Sequence, residues 1–133
     1  MDIFATYATD EKAEVEGRWL PLGDAEFLVA RAGNHKYNAA VKAAFEANKL
    51  TLDAGGAAAE ARANEIFADV MANTILLGWK GVMRAGKPWD YSYTAARAAL
   101  GLKEFRLRIS ALADNYENFL VKEEEAQGNV SQG

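Results

Sequence analysis

Ile75-Leu76-Leu77-Gly78-Trp79-Lys80-Gly81-Val82 closes a long apolar-periodic stretch and sets a tryptophan between two glycines. Upstream of it, Ala63, Ile66, Phe67, Val70, Met71, Thr74, Ile75 and Leu77 recur at helical spacing and cover one broad face. Alanine at positions 57, 58, 59, 61 and 63 adds intrinsic helix preference. The pattern predicts a helix from near Ala57 to Trp79, about 35 Å long at ~1.5 Å per residue. Such a helix would be the central one. Gly81 then reads as the left-handed residue that stops it, with Lys80 in the last turn complementing the helix dipole.

Beyond this run, Val82 to Asp90 reads as a tight reversal around Ala85-Gly86-Lys87-Pro88, and Ser92 as the next N-cap. A short helix follows, with Ala95, Ala96, Ala99 and Leu100 inward and Gly101 as its stop. A last helix is expected from Lys103 to Val121, on the spacing of Phe105, Ile109, Leu112, Tyr116 and Phe119. Residues 122–133 are acidic and then polar, and read as a disordered tail.

Towards the N-terminus, Asn34 is a good N-cap for a helix reaching Asn48, with Tyr37, Val41, Ala44 and Phe45 as its apolar stripe. Leu50 to Gly56 reads as a linker broken by Gly55-Gly56. Between Glu14 and Arg31 the period changes to two. A strand carrying Val15, Gly17 and Trp19 on one side turns at Pro21-Leu22-Gly23-Asp24 and returns with Phe27 and Val29 on one face. That Trp19/Phe27/Val29 face should lie on helices, because an isolated hairpin is marginal in water. Residues 1–13 read as a loose lead-in. The expected fold is mainly α within the α+β class: one domain over residues 1–121, a small helical domain with an N-terminal β-hairpin packed on a long central helix.

The chain has 133 residues, no cysteine and a net charge of -4. A chain this long can bury roughly two-thirds of its unfolded surface without a metal or disulfide. Thiolate chemistry is excluded. The basic residues are scattered among acidic ones, which argues against a nucleic-acid footprint. No apolar run approaches the ~20 residues that span a bilayer. The expectation is a soluble intracellular protein without a signal peptide.

Chemistry finds little to work with. His35 is the only histidine, and Asn38 and Ala39 stand where a second ligand would be needed. Glu65 and Asp69 are explained by a solvated helix face, and Gly55-Gly56 belongs to no phosphate-binding pattern. The expectation is a protein that is not an enzyme and needs no cofactor or metal. Trp19 and Trp79 read as core. Trp89, beside Pro88, reads equally as core or as interface, and Tyr91 and Tyr93 extend the same patch.

Two blocks then carry a resemblance. Trp19-Leu20-Pro21-Leu22-Gly23-Asp24-Ala25-Glu26-Phe27 runs into Val29-Ala30-Arg31-Ala32-Gly33-Asn34, and later comes Thr74-Ile75-Leu76-Leu77-Gly78-Trp79-Lys80-Gly81-Val82. With Gly86-Lys87-Pro88, Tyr91-Ser92 and Glu117-Asn118-Phe119, this order resembles the tail assembly chaperones of siphophage-type bacteriophages, over about residues 10 to 121. The resemblance implies a chaperone that binds the long, aggregation-prone tape measure protein, keeps it soluble and helps recruit tail tube subunits. It implies a place in the host cytoplasm and absence from the finished virion, and leaves a homo-oligomer open. The turn Met83-Arg84-Ala85-Gly86-Lys87 departs from the acidic turn of that family. An apolar groove beside the long helix would suit helix-in-groove binding, with Ile75, Trp79, Trp89 and Tyr93 as expected groove residues. The alternative reading is a structural virion component, a tail or head–tail joining subunit. An enzyme gathering Glu65, Asp69, His35 and Asp114 in one pocket is a third.

Overall fold

The computed structural model describes residues 1–122. The predicted tail falls almost wholly outside them. The described residues form an α+β fold with a β-hairpin near the N-terminus and a long helix against it.

The first residues are ordered, contrary to the expected loose lead-in. α1 (Ile3–Tyr7) and α2 (Glu11–Glu16) each start at an aspartate, Asp2 and Asp10, whose carboxylates accept from Ala5 N and Ala13 N. Each cap satisfies a backbone donor that a short helix otherwise leaves unpaired. Glu14 to Glu16 therefore end a helix, and the first strand starts later than expected.

β1 (Arg18–Leu22) and β2 (Ala25–Val29) pair antiparallel, with Leu22 opposite Ala25. Gly23 takes φ 63 in the turn, a conformation open to glycine. Phe27 and Val29 are buried as expected, but Trp19 is not: it lies opposite Leu28, on the other face, 41% exposed. The start of the strand explains the error. With β1 beginning at Arg18, Leu20 and Leu22 supply the inward side chains.

α3 (His35–Ala47) begins at Asn34, whose side-chain oxygen accepts from Lys36 N and Tyr37 N at 2.9 and 3.0 Å. The expected linker contains a helical turn, α4 (Lys49–Asp53). The long helix, α5 (Gly56–Thr74), has 19 residues and is shorter than predicted. Its last turn is closed by Thr74, whose hydroxyl donates to the Val70 carbonyl.

Most of the Ile75 to Val82 run is a strand rather than a helix end. β3 (Leu76–Lys80) pairs antiparallel with β2 and makes the sheet order β1-β2-β3. A short, continuously apolar run fits a buried strand as well as a helix, and the open edge of β2 decides between them. Gly78 sits where a Cβ would stand 3.3 Å from the Trp19 ring and 3.4 Å from the Leu28 Cβ. Gly81, at φ 76, turns the chain out of β3 rather than ending a helix. Lys80 caps no dipole; its ammonium lies 4.0 Å from the centre of the Trp19 ring.

The predicted reversal is a small hairpin of β4 (Met83–Arg84) and β5 (Lys87–Pro88). Ala85 and Gly86 both have positive φ, 52 and 77. α6 (Tyr93–Leu100) starts at Ser92, whose hydroxyl accepts from Ala95 N at 3.0 Å. α7 (Lys103–Asp114) stops short of the predicted Val121. Asn115 ends it by capping a 3-10 turn, Tyr116–Phe119, and Asn118 donates to the Leu112 carbonyl.

The core lies between one sheet face and helices α5, α6 and α7. Phe27, Val29, Leu76 and Trp79 meet Met71, Ile75, Ala96, Leu100, Ile109 and Ala113. Alanines at 68, 72, 95 and 96 are buried on α5 and α6, where small side chains let helix axes approach. The N-terminal segment is tied to the other end of the fold. Arg18 reaches Asp10 and the Leu120 carbonyl, and Val121 N donates to the Ala8 carbonyl.

Candidate partner-binding site

The four residues expected in a groove fall into different surroundings. Trp79 is buried, 7% exposed, with its ring edge-on to Phe27 and Tyr91 and 5.1 Å from Trp89. Its indole N–H donates to the Trp89 carbonyl at 2.7 Å. The Tyr91 hydroxyl donates to the Leu76 carbonyl at 2.7 Å. These two bonds fix the segment after β5 against the outer edge of β3. Trp89 is half-buried, with the Arg84 guanidinium 4.8 Å above its ring. Trp79 and Trp89 thus close the core. Tyr93, in the first turn of α6, is 46% exposed.

Ile75 is itself buried, and it contributes to the floor of a groove of about 350 Å³ between α3, α5 and α7. The rest of the floor comes from Phe67 and Met71 of α5 and Ala113 of α7. Tyr37 closes the α3 side, and Leu107, half exposed, stands on the α7 side. The helical periodicity had placed Tyr37, Phe67 and Met71 on apolar stripes, but without showing that the stripes meet at an opening. Leu107 was invisible to that reasoning because it lies off the buried stripe of α7.

The groove is electrically polarised along α7. Lys103 and Arg106 stand at the start of this helix and Asp114 at its end, about 16 Å away at 1.5 Å per residue. Arg106 also donates to the Leu100 carbonyl, which holds its stem along the wall. The Tyr37 phenol is pushed above its ordinary value, chiefly by burial and next by the charge of Asp114.

The acidic residues considered for catalysis stand apart. Glu65 pairs with Arg62 at 3.0 Å, and Asp69 pairs with Arg97 of α6. Asp114 lines the groove, while His35 is exposed at the start of α3 and borders a separate depression with Glu14 and Val15. Among the described residues, no helix is long and apolar enough to cross a membrane.

Residues 32–129 match the family described as YdaY prophage protein. The match takes in α3 through α7 and with them every wall of the groove. The chain belongs to the YdaY prophage protein family. It is therefore a phage-derived protein. No curated protein and no solved structure matches it. The family match includes the Leu-Leu-Gly-Trp-Lys-Gly-Val block but begins after most of the Trp19 to Asn34 block. The Trp19 to Arg31 part of the chaperone resemblance thus lies outside the part that the family shares.

Proposed function

We propose that this YdaY-family protein is a tail assembly chaperone. It binds the tape measure protein in the host cytoplasm, keeps it soluble, helps recruit tail tube subunits, and leaves before the virion is complete. It acts by binding, without catalysis or a cofactor. The observation that carries the reading is the groove between α3, α5 and α7, with an apolar floor and charges of opposite sign at its ends. A tape measure protein is long and helical. One amphipathic turn of it, with an acidic residue ahead of its apolar side chains, suits such a groove. The prophage family supports the phage setting. The groove lies beside the long helix, and of the four residues expected to line a groove Ile75 alone is among its walls.

The test is co-expression with the long coiled-coil product encoded nearby. The expected result is a soluble, co-purifying pair. Leu107→Asp should release the partner while the chaperone itself stays folded, because Leu107 is half exposed. A partner that remains insoluble and unbound overturns the reading. So does finding this chain at stoichiometric copy number in purified virions, which would make it a structural component.

A further inference from the structure

The described structure carries two apolar surfaces that have no partner, and they do not meet within one chain. The first is the groove. The second is α1. Phe4 is 85% exposed, Ile3 62% and Tyr7 48%, and the helix buries none of its residues. Ile3, Phe4 and Tyr7 fall at i, i+1 and i+4, on one side of the helix. The only ring contact of α1 is Tyr7 against Tyr116, at 5.5 Å, among the described residues. The helix is nonetheless formed and capped: Asp2 accepts from Ala5 N and the Thr6 hydroxyl donates to the Asp2 carbonyl. It hangs from an anchor at Ala8 and Thr9, which pair with Val121 and Leu120.

Large apolar side chains displayed together on a preformed helix mark an interaction surface. The size and charge of the groove say which one. A volume of about 350 Å³ is at the low end for ligand sites, room for a few side chains and not for a long helix. α1 offers that amount, and Asp2, the acidic residue that caps it, precedes its apolar side chains. Lys103 and Arg106 stand at one end of the groove, so charge sets the direction of entry.

We infer that the groove between α3, α5 and α7 receives α1 of a second copy of this chain, with Ile3 and Phe4 on its apolar floor and Asp2 beside Lys103 and Arg106. Each copy gives one helix and one groove. The contact joins two unlike surfaces, and when both helices are exchanged about a two-fold axis it closes as an isologous dimer. The inference stands apart from the tape measure reading, since it concerns what fills the groove when only this protein is present.

Sedimentation velocity over a concentration series tests it on the full chain, using wild type, Phe4→Asp, Leu107→Asp, and an equal mixture of the two variants. Both positions are exposed, so circular dichroism should show each variant folded. Wild type should associate as concentration rises. Each variant alone should associate about a hundredfold or more weakly, because a dimer of one variant loses an anchor side chain at both contacts, at about tenfold each. The mixture should regain a pair, because the intact helix of one variant meets the intact groove of the other. Wild type that stays monomeric overturns the inference, whether or not a foreign amphipathic peptide binds the groove. So does a variant that still associates like wild type, or a mixture that associates no more strongly than either variant alone.

Discussion

The Trp79 ring is enclosed by Phe27, Trp89 and Tyr91, and its indole N–H is spent on the Trp89 carbonyl. Replacing it tests packing and hydrogen bonding separately. Trp79→Ala should cost about 3–5 kcal/mol by urea denaturation, the range for large aromatic truncations in a core. Trp79→Phe keeps most of the apolar volume but removes the donor, and should cost roughly 1–3 kcal/mol through the carbonyl left unpaired. The tyrosines make a second prediction. Burial raises the phenols of Tyr37 and Tyr91, with Asp114 adding to the effect at Tyr37. The unfolded chain then loses these protons first, near its ordinary value of about 10. Stability from this source is complete below that pH and falls as pH rises through the folded-state values. Tyr37→Phe should flatten the alkaline arm of a stability–pH curve and leave the neutral region nearly unchanged. Trp79 as core was legible from its apolar neighbours. Trp19 was misassigned because period two gives faces only once the start of the strand is known, and Asp10 capping α2 moves that start.

Helix ends marked by a side-chain oxygen were the most readable features between the elements. Asn34 and Ser92 cap α3 and α6 as the sequence implied. The boundary between α5 and β3 was not readable, because Ile75-Leu76-Leu77 satisfies either period. The partner strand that decides it, β2, lies almost fifty residues away by numbering. The same tertiary rule shortened the last helix, where Asn115 serves as a cap rather than as one more helical residue. The β4–β5 hairpin carries a prediction of its own. Ala85 holds φ 52 in a turn where Gly86 holds φ 77, so an L-residue bears a left-handed cost that asparagine tolerates better. Ala85→Asn should raise stability by about 0.5–1 kcal/mol in thermal or chemical unfolding, a part of the 1–2 kcal/mol left-handed cost. An unchanged or lowered midpoint would show that the turn is already relaxed.

Burial is uneven across the whole molecule, and that unevenness bears on the groove. Residues of β2, β3, α5, α6 and α7 make up one buried cluster, whereas α3 and α4 contain no fully buried residue. α3 is held on α5 by half-buried side chains, among them Phe45 against Phe67 at 5.8 Å. Phe67 also lines the groove, and so does Tyr37 at the other end of α3. One wall of the site is therefore a weakly buried helix, and the other two belong to the core. Such a layer opens at lower free energy than the rest of the fold. Native-state hydrogen exchange should find the amides of β2, β3 and the second half of α5 exchanging only by global unfolding. Those of α3 should exchange through a smaller opening, and those of α1 fastest. A ligand in the groove bridges α3 to α5 and α7, so binding should slow exchange in α3 more than in β3. Equal protection of α3 and β3 in the free protein would show a rigid groove, whose occupant has no wall to order on entry.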